Sequence, residues 1–146
     1  MAVFKYKMQS ILEVKEKVET QAKQDFAAAQ LKLNEELNHL EEIRKRREEY
    51  VAEGIRLRNT DIDIVAINEN KRAVELMDEF EKQQLLQVNV AQKEVDAASY
   101  KMMEARAQTK TYEKLKEKAF DEFVAEENHK EGKEIDELNS FRFTGN

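Results

Sequence analysis

"GIRLRNTDID", Gly54 to Asp63, is the one stretch that punctuates this 146-residue chain. Gly54 lowers helix propensity. Asn59, Thr60 and Asp61 are all helix N-cap types, since a short polar side chain accepts a bond from an amide that the first turn leaves unused. Proline is absent, and the other two glycines are Gly132 and Gly145. Strands need turns, and turns need clusters of Gly, Pro, Asn or Asp. A single break of this kind therefore predicts two long helices. Their expected bounds are about 3–57 and about 62–141, joined by a turn at about 58–61 within one coiled-coil domain, 1–146.

Working outward, both arms of the chain carry helical periodicity. Upstream, apolar residues recur at Ile11, Val14 or Lys15, Val18, Ala22, Phe26, Ala29, Leu33, Leu37, Leu40, Ile43 and Tyr50. The steps are mostly three and four, with a slip of register in the middle. Downstream, Val88, Ala91, Val95, Ala98, Met102, Ala105, Thr109 and Tyr112 alternate four and three, which is a heptad seam. Alanine at alternate seam positions lets two helices approach closely. The fold class is thus all-α, a long antiparallel two-helix coiled-coil hairpin with a second helix that is longer and overhangs the first. A first helix of about 55 residues would run roughly 80 Å.

Composition supports this reading and removes several functions. Charged residues make up 38% and hydrophobic residues 40%, with a mean hydropathy of −0.83. That is too polar for a globular core and suits helices that bury a narrow seam. Net charge is −6, which argues against general nucleic-acid binding. No run approaches the ~20 apolar residues of a membrane span, and no apolar leader is visible in "MAVFKYKMQSILEVK", so the chain is expected to be soluble and cytoplasmic. Cysteine is absent, and the two histidines, His39 and His129, lie far apart. No thiolate metal site, glycine-rich phosphate loop or carboxylate in a cleft is available, so neither an enzyme, a cofactor nor a small-molecule substrate is expected.

Folding the chain about residue 58 places Phe4 and Tyr6 beside Tyr112, and leaves the remainder of the second helix on an overhang. Phe120 and Phe123 then lie beyond the hairpin, succeeded by the polar run "EENHKEGKE" with Gly132, which is expected to fray or hinge. The end of the chain, "EIDELNSFRF", has Ile135, Leu138 and Phe141 at helical spacing, with Phe143 beyond. Aromatic residues are therefore concentrated where the termini meet. Such rings among charges are typical of binding surfaces; the alternative is that the tail folds back over the open end. A second charged stretch, "RKRREEY", Arg44 to Tyr50, reads either as a solvated face or as a docking patch. In the latter, Leu40, Ile43 and Arg47 form a stripe, with Arg72 and Leu76 near it across the hairpin.

The opening "FKYKMQSILEVKEKVETQAKQDFAAAQ" and the close "YEKLKEKAFDEFVAEENHKEGKEIDELNSFRF" resemble the FliJ family, a small coiled-coil component of the flagellar (type III) export apparatus. The resemblance spans essentially the whole chain. It rests on Phe4 and Ile11-Leu12-x-Val14-Lys15 at one end. At the other it rests on Tyr112-x-x-Leu115, Lys118 and the terminal Glu134-Ile135-Asp136-Glu137 before aromatic residues. It implies a non-enzymatic coiled coil, similar to the central stalk subunit of rotary ATPases, that promotes assembly and activity of the hexameric export ATPase FliI. The resemblance further implies contacts with the export gate protein FlhA and with export chaperones, and a location at the inner face of the cell membrane at the flagellar base. The ring-facing residues would be Phe4, Ile11, Phe120, Phe123, Leu138, Phe141 and Phe143. The gate-facing ones would be Leu40, Ile43, Arg47, Arg72 and Leu76, although family members often carry aromatic residues on that stripe. Two other readings fit a hairpin: the stalk subunit of a different rotary ATPase, which usually has an added globular part, and a generic scaffold. A scaffold should oligomerise alone, whereas a stalk should be a monomer in isolation.

Overall fold

A computed structural model describes residues 2–144, with side chains as far as Arg142. Two helices carry the fold: α1, Gln9–Arg58, and α2, Ile64–Thr144. They pack against each other as an all-α hairpin, and no strand occurs among the described residues. The turn between them is capped from both sides. Asp63 is the N-cap of α2, its Oδ1 accepting the amides of Val65 at 3.1 Å and Ala66 at 3.3 Å. The Thr60 hydroxyl donates to the Arg56 carbonyl at 3.3 Å, and Arg56 and Arg58 place positive charge at the α1 C-terminus, where the helix dipole favours it. Asn59, Thr60 and Asp61, the capping residues expected from sequence, give way to Asp63.

Gly54 does not belong to the break. It is buried inside α1, four residues before the helix ends. A Cβ there would lie 2.5 Å from Oδ1 of Asn70, whose Nδ2 donates to the Tyr50 carbonyl at 2.7 Å. The glycine thus makes room for an α2 side chain to reach the α1 backbone. Gly132 is the opposite case: α2 runs through it without a hinge, and nothing lies within 4 Å of its Cβ position. The run of Glu, Lys and Ala around it outweighs the ~1 kcal/mol that glycine costs a helix relative to alanine. Alanine should therefore have opposite effects at the two sites. Gly132→Ala should slow amide exchange over residues 128–136 about fivefold, in line with that propensity gain. Gly54→Ala should lower stability by about 1 kcal/mol, as displacing Asn70 outweighs the same gain, and Asn70→Ala added to it should restore the melting temperature. A rise in melting temperature for Gly54→Ala alone would mean that the contact is slack.

The chain forms two compact units, one comprising residues up to Gln21 and from Met102 onward, the other Ala22–Lys101. In the second, Leu40, Met77, Ala91 and Val95 are buried. Positions 22, 26, 29, 33, 36, 40, 43, 47, 50, 54 and 57 of α1 are all buried or half-buried, a strict alternation of four and three. Glu36 and Arg47 occupy two of those slots. Glu36 accepts from Gln84 Nε2 at 2.8 Å through its carbonyl and at 2.6 Å through its carboxylate, while Arg47 is paired with Asp78. The hydrogen bond and charge of Asp78 raise the Arg47 pKa above its ordinary value, so this guanidinium stays charged. Arg44–Glu81 at 3.0 Å and Lys32–Glu94 at 3.6 Å add exposed pairs, each worth little on its own.

In the other unit, Leu12, Ala105 and Thr109 are buried, with Lys15 and Glu19 half-buried in the α1 seam. Thr109 shares its hydroxyl proton between the Lys15 carbonyl at 3.2 Å and the Ala105 carbonyl at 3.1 Å. Lys15 Nζ donates to Gln108 Oε1 at 2.7 Å and lies 6.0 Å from the centroid of the Tyr112 ring. The slip of register expected in α1 therefore disappears. Ile11, Val14, Val18 and Leu37 are exposed, and the seam runs one residue over, through Leu12, Lys15, Glu19 and Glu36.

Candidate docking surface at the open end

Sequence places the start of the first helix at about residue 3, but residues 2–6 belong to neither helix nor strand, and α1 starts at Gln9. This arm lies on α2. The Phe4 ring meets Phe120 edge-on, centroids 5.3 Å apart at 77°, and Phe123 at 5.5 Å and 51°. Both are favourable aromatic geometries. The Tyr6 hydroxyl donates to the Tyr112 carbonyl at 3.0 Å. Phe120 and Phe123 are thus not beyond the reach of the first arm, as folding about residue 58 implies.

The reason is the position of the fold point. Lys15 meets Gln108 and Arg47 meets Asp78, pairs whose midpoints are 61.5 and 62.5. Moving the fold point by about four residues moves each partner by about eight, just over two helical turns. Phe4 therefore passes Tyr112 and reaches Phe120. Tyr6 alone keeps the expected neighbour.

Beside the Phe4 cluster lies an open groove of about 640 Å³, whose apolar lining includes Val3, Met8, Leu115, Ala119 and Phe123. Lys5, Lys7, Glu122 and Glu126 form its charged rim. The arm is held only marginally. Ordering five residues costs about 5–10 kcal/mol of backbone entropy. Burial of one Phe, two ring pairs and one hydrogen bond offset about 3–7 kcal/mol of that, and the half-buried Tyr6 ring a little more.

Further along α2, every described residue from Asn128 to Arg142 is exposed. Ile135 is 56% exposed, Leu138 61% and Phe141 75%. Phe120 and Leu138 are 18 residues apart, as are Phe123 and Phe141, and 18 residues are five whole turns. The two pairs therefore share one face of α2, with Glu127, Lys130, Glu131 and Glu134 between them on it. Heptad counting passes over this face because its period of 18 runs across the seam. Ile11, 43% exposed, stands outside the α1 seam, and the side chain of Phe143 lies outside the described residues.

Of the second expected set, Leu40, Ile43 and Arg47 share one stripe, the α1 seam. Leu40 is buried in the helix–helix seam, and Ile43 and Arg47 are half-buried there, facing α2. Arg72 and Leu76 are exposed on α2, outside its seam. Sequence reasoning passes over a second exposed apolar group, Ile55, Ile62, Ile64 and Val65 around the turn. Among the described residues no helix is long and apolar enough to cross a membrane, and no cluster of His, Cys, Asp or Glu is placed to hold a metal ion.

No curated protein and no solved structure matches the chain. A family model does: the one described as Flagellar FliJ protein matches residues 4–146, which include the arm from Phe4 onward, both helices and the face that carries Phe120 and Leu138. That family is a non-catalytic part of the flagellar export apparatus. Matched over nearly its whole length, this helical hairpin belongs to the FliJ family.

Proposed function

We propose that the chain is a stalk-like, non-enzymatic component that inserts its open end into the hexameric export ATPase and promotes assembly and activity of that ring. Its ring-facing residues are Phe4, Ile11, Phe120, Phe123, Leu138, Phe141 and Phe143. The observation that carries this reading is the α2 face on which Phe120, Leu138 and Phe141 are exposed along one line beyond the hairpin seam. Apolar rings rimmed by charge suit a pocket in another protein better than water. The same component would link the ATPase to the export gate and to substrate chaperones, in the cytoplasm at the inner face of the cell membrane. Arg72 and Leu76, outward on α2, are the members of the second set best placed for the gate; Leu40, Ile43 and Arg47 would act by holding α2 in register.

The test is to add the purified chain to the purified export ATPase and follow particle size by light scattering together with ATP turnover. The expected result is a shift of the ATPase towards hexamers and faster turnover, with the free chain monomeric beforehand. An ATPase indifferent to saturating amounts of the chain, or a chain that self-associates through its seam, would favour the scaffold reading instead.

A further inference from the structure

We propose that the arm, residues 2–6, is a strap that opens and closes over α2, holding Phe4 against both docking rings when closed and releasing them when open. The geometry places one removable side chain against two. Phe4 contacts both Phe120 and Phe123, and the Tyr6 hydroxyl on the Tyr112 carbonyl is a second fastening, two residues further along the arm. Tyr112 is a helical carbonyl, whose oxygen accepts a second bond without loss of the first. Unfastening Tyr6 therefore leaves no orphaned acceptor behind. Water covers whatever the arm uncovers, because the groove beside it is already open, and Val3 at its outer edge is 80% exposed. With binding and ordering contributions of similar size, the closed and open forms are both substantially populated.

The strap gives the docking end two settings. Closed, Phe4 covers part of both other rings and the end is less adhesive. Open, Phe4, Phe120 and Phe123 are all offered to a partner. Only the second half of this statement rests on the docking reading proposed above; the opening itself is a property of the free chain.

Opening is measured on the full chain without a partner, by amide exchange over residues 2–8 and by fluorescence of the apolar dye 8-anilinonaphthalene-1-sulfonate. Phe4→Ala removes the ring pairs and should shift the strap towards its open form about tenfold or more, raising dye binding in step while far-UV circular dichroism stays the same. Tyr6→Phe keeps the ring and removes one fastening, so it should give a smaller rise in the same direction. As the chain has no cysteine, Lys5→Cys with Glu122→Cys, joined by a short bismaleimide, holds the strap closed and should lower dye binding below that of the unmodified chain. If Phe4→Ala leaves dye binding unchanged, or melts α2 around Tyr112 instead of freeing the arm, the strap is a fixed cap and the proposal fails. These readouts contain no ATPase, so a chain that opens as described but ignores the ring would sink the docking reading and leave the strap standing.

Discussion

Val95→Asp abolishes cooperative melting of the Ala22–Lys101 unit in the free chain, before any partner is present. Val95 is 8% exposed and lies at the seam position next after Ala91, 1% exposed, in α2. Losing its burial costs about 1.5–3 kcal/mol, and placing a carboxylate against α1 without a partner costs several more. The unit has little to spare, because its seam is narrow, rich in alanine and interrupted by Glu36 and Arg47. The defect should ease as pH falls. A carboxyl desolvated in the seam has its pKa raised in the folded state, so the folded form holds the proton more tightly and gains stability on acidification. Val90→Asp is the control: Val90 is 50% exposed, and the same substitution there should change stability by less than about 0.5 kcal/mol. Circular dichroism melts of both variants at neutral and acidic pH decide the matter. Equal melting for the two would mean that the seam does not run where burial places it.

The α2 seam also marks how far the sequence could be read. Counting apolar residues there finds the buried positions correctly: Val88, Ala91, Val95, Ala98, Met102, Ala105, Thr109 and Tyr112 are each buried or half-buried. On α1 the same counting finds Ala22, Phe26, Ala29, Leu33, Leu40, Ile43 and Tyr50 but misplaces Ile11, Val18 and Leu37, because the seam also admits Lys15, Glu19, Glu36 and Arg47. Long polar side chains lay their methylene stems along a seam while their heads find partners, here Gln108, Gln84 and Asp78. No tally of hydrophobicity detects that. The buried polar atoms then fix what the apolar pattern leaves loose. Gln84 on the Glu36 carbonyl, Asn70 on the Tyr50 carbonyl and Thr109 on the Lys15 carbonyl each allow one register, and a slide of α2 along α1 would break them.

The candidate site was partly legible for the same reasons. That rings gather at the end where the termini meet is clear from the order of residues alone. That Phe4 packs on Phe120 and Phe123 is not, because it depends on a fold point that an error of four residues displaces by two turns. It also depends on an arm that leaves the helix before Gln9, where Tyr6, a residue with a hydroxyl to place, finds the Tyr112 carbonyl. In this chain apolar residues locate the helices and polar ones locate their partners, so a reading based on the former recovers the architecture and misplaces the contacts.

The second large effect comes from separating docking from folding. On the docking proposed above, Phe120→Ala with Leu138→Ala should weaken binding to the export ATPase ring about a hundredfold or more, since each side chain is worth roughly 1.5–3 kcal/mol when fully buried by a partner. The pair is 47% and 61% exposed and lies on one line of α2 five turns apart, so the free chain should melt almost as before. Phe123 is kept because it is half-buried at a seam position, so removing it would disturb helix packing; Phe120→Ala also loosens Phe4, which amide exchange over residues 2–8 registers, but leaves the seam intact. A change in affinity alone does not establish a site, because any loss of exposed apolar area reduces general stickiness. Ile64→Ala with Val65→Ala removes side chains that are 69% and 67% exposed beside the turn, and should leave ring binding within about threefold of the unmodified chain. ATPase stimulation and flagellar export should track affinity in both variants. If the turn pair weakens ring binding as much as the Phe120 and Leu138 pair does, the ring is responding to apolar surface in general. If only the turn pair weakens it, the docking end has been assigned to the wrong end of the hairpin.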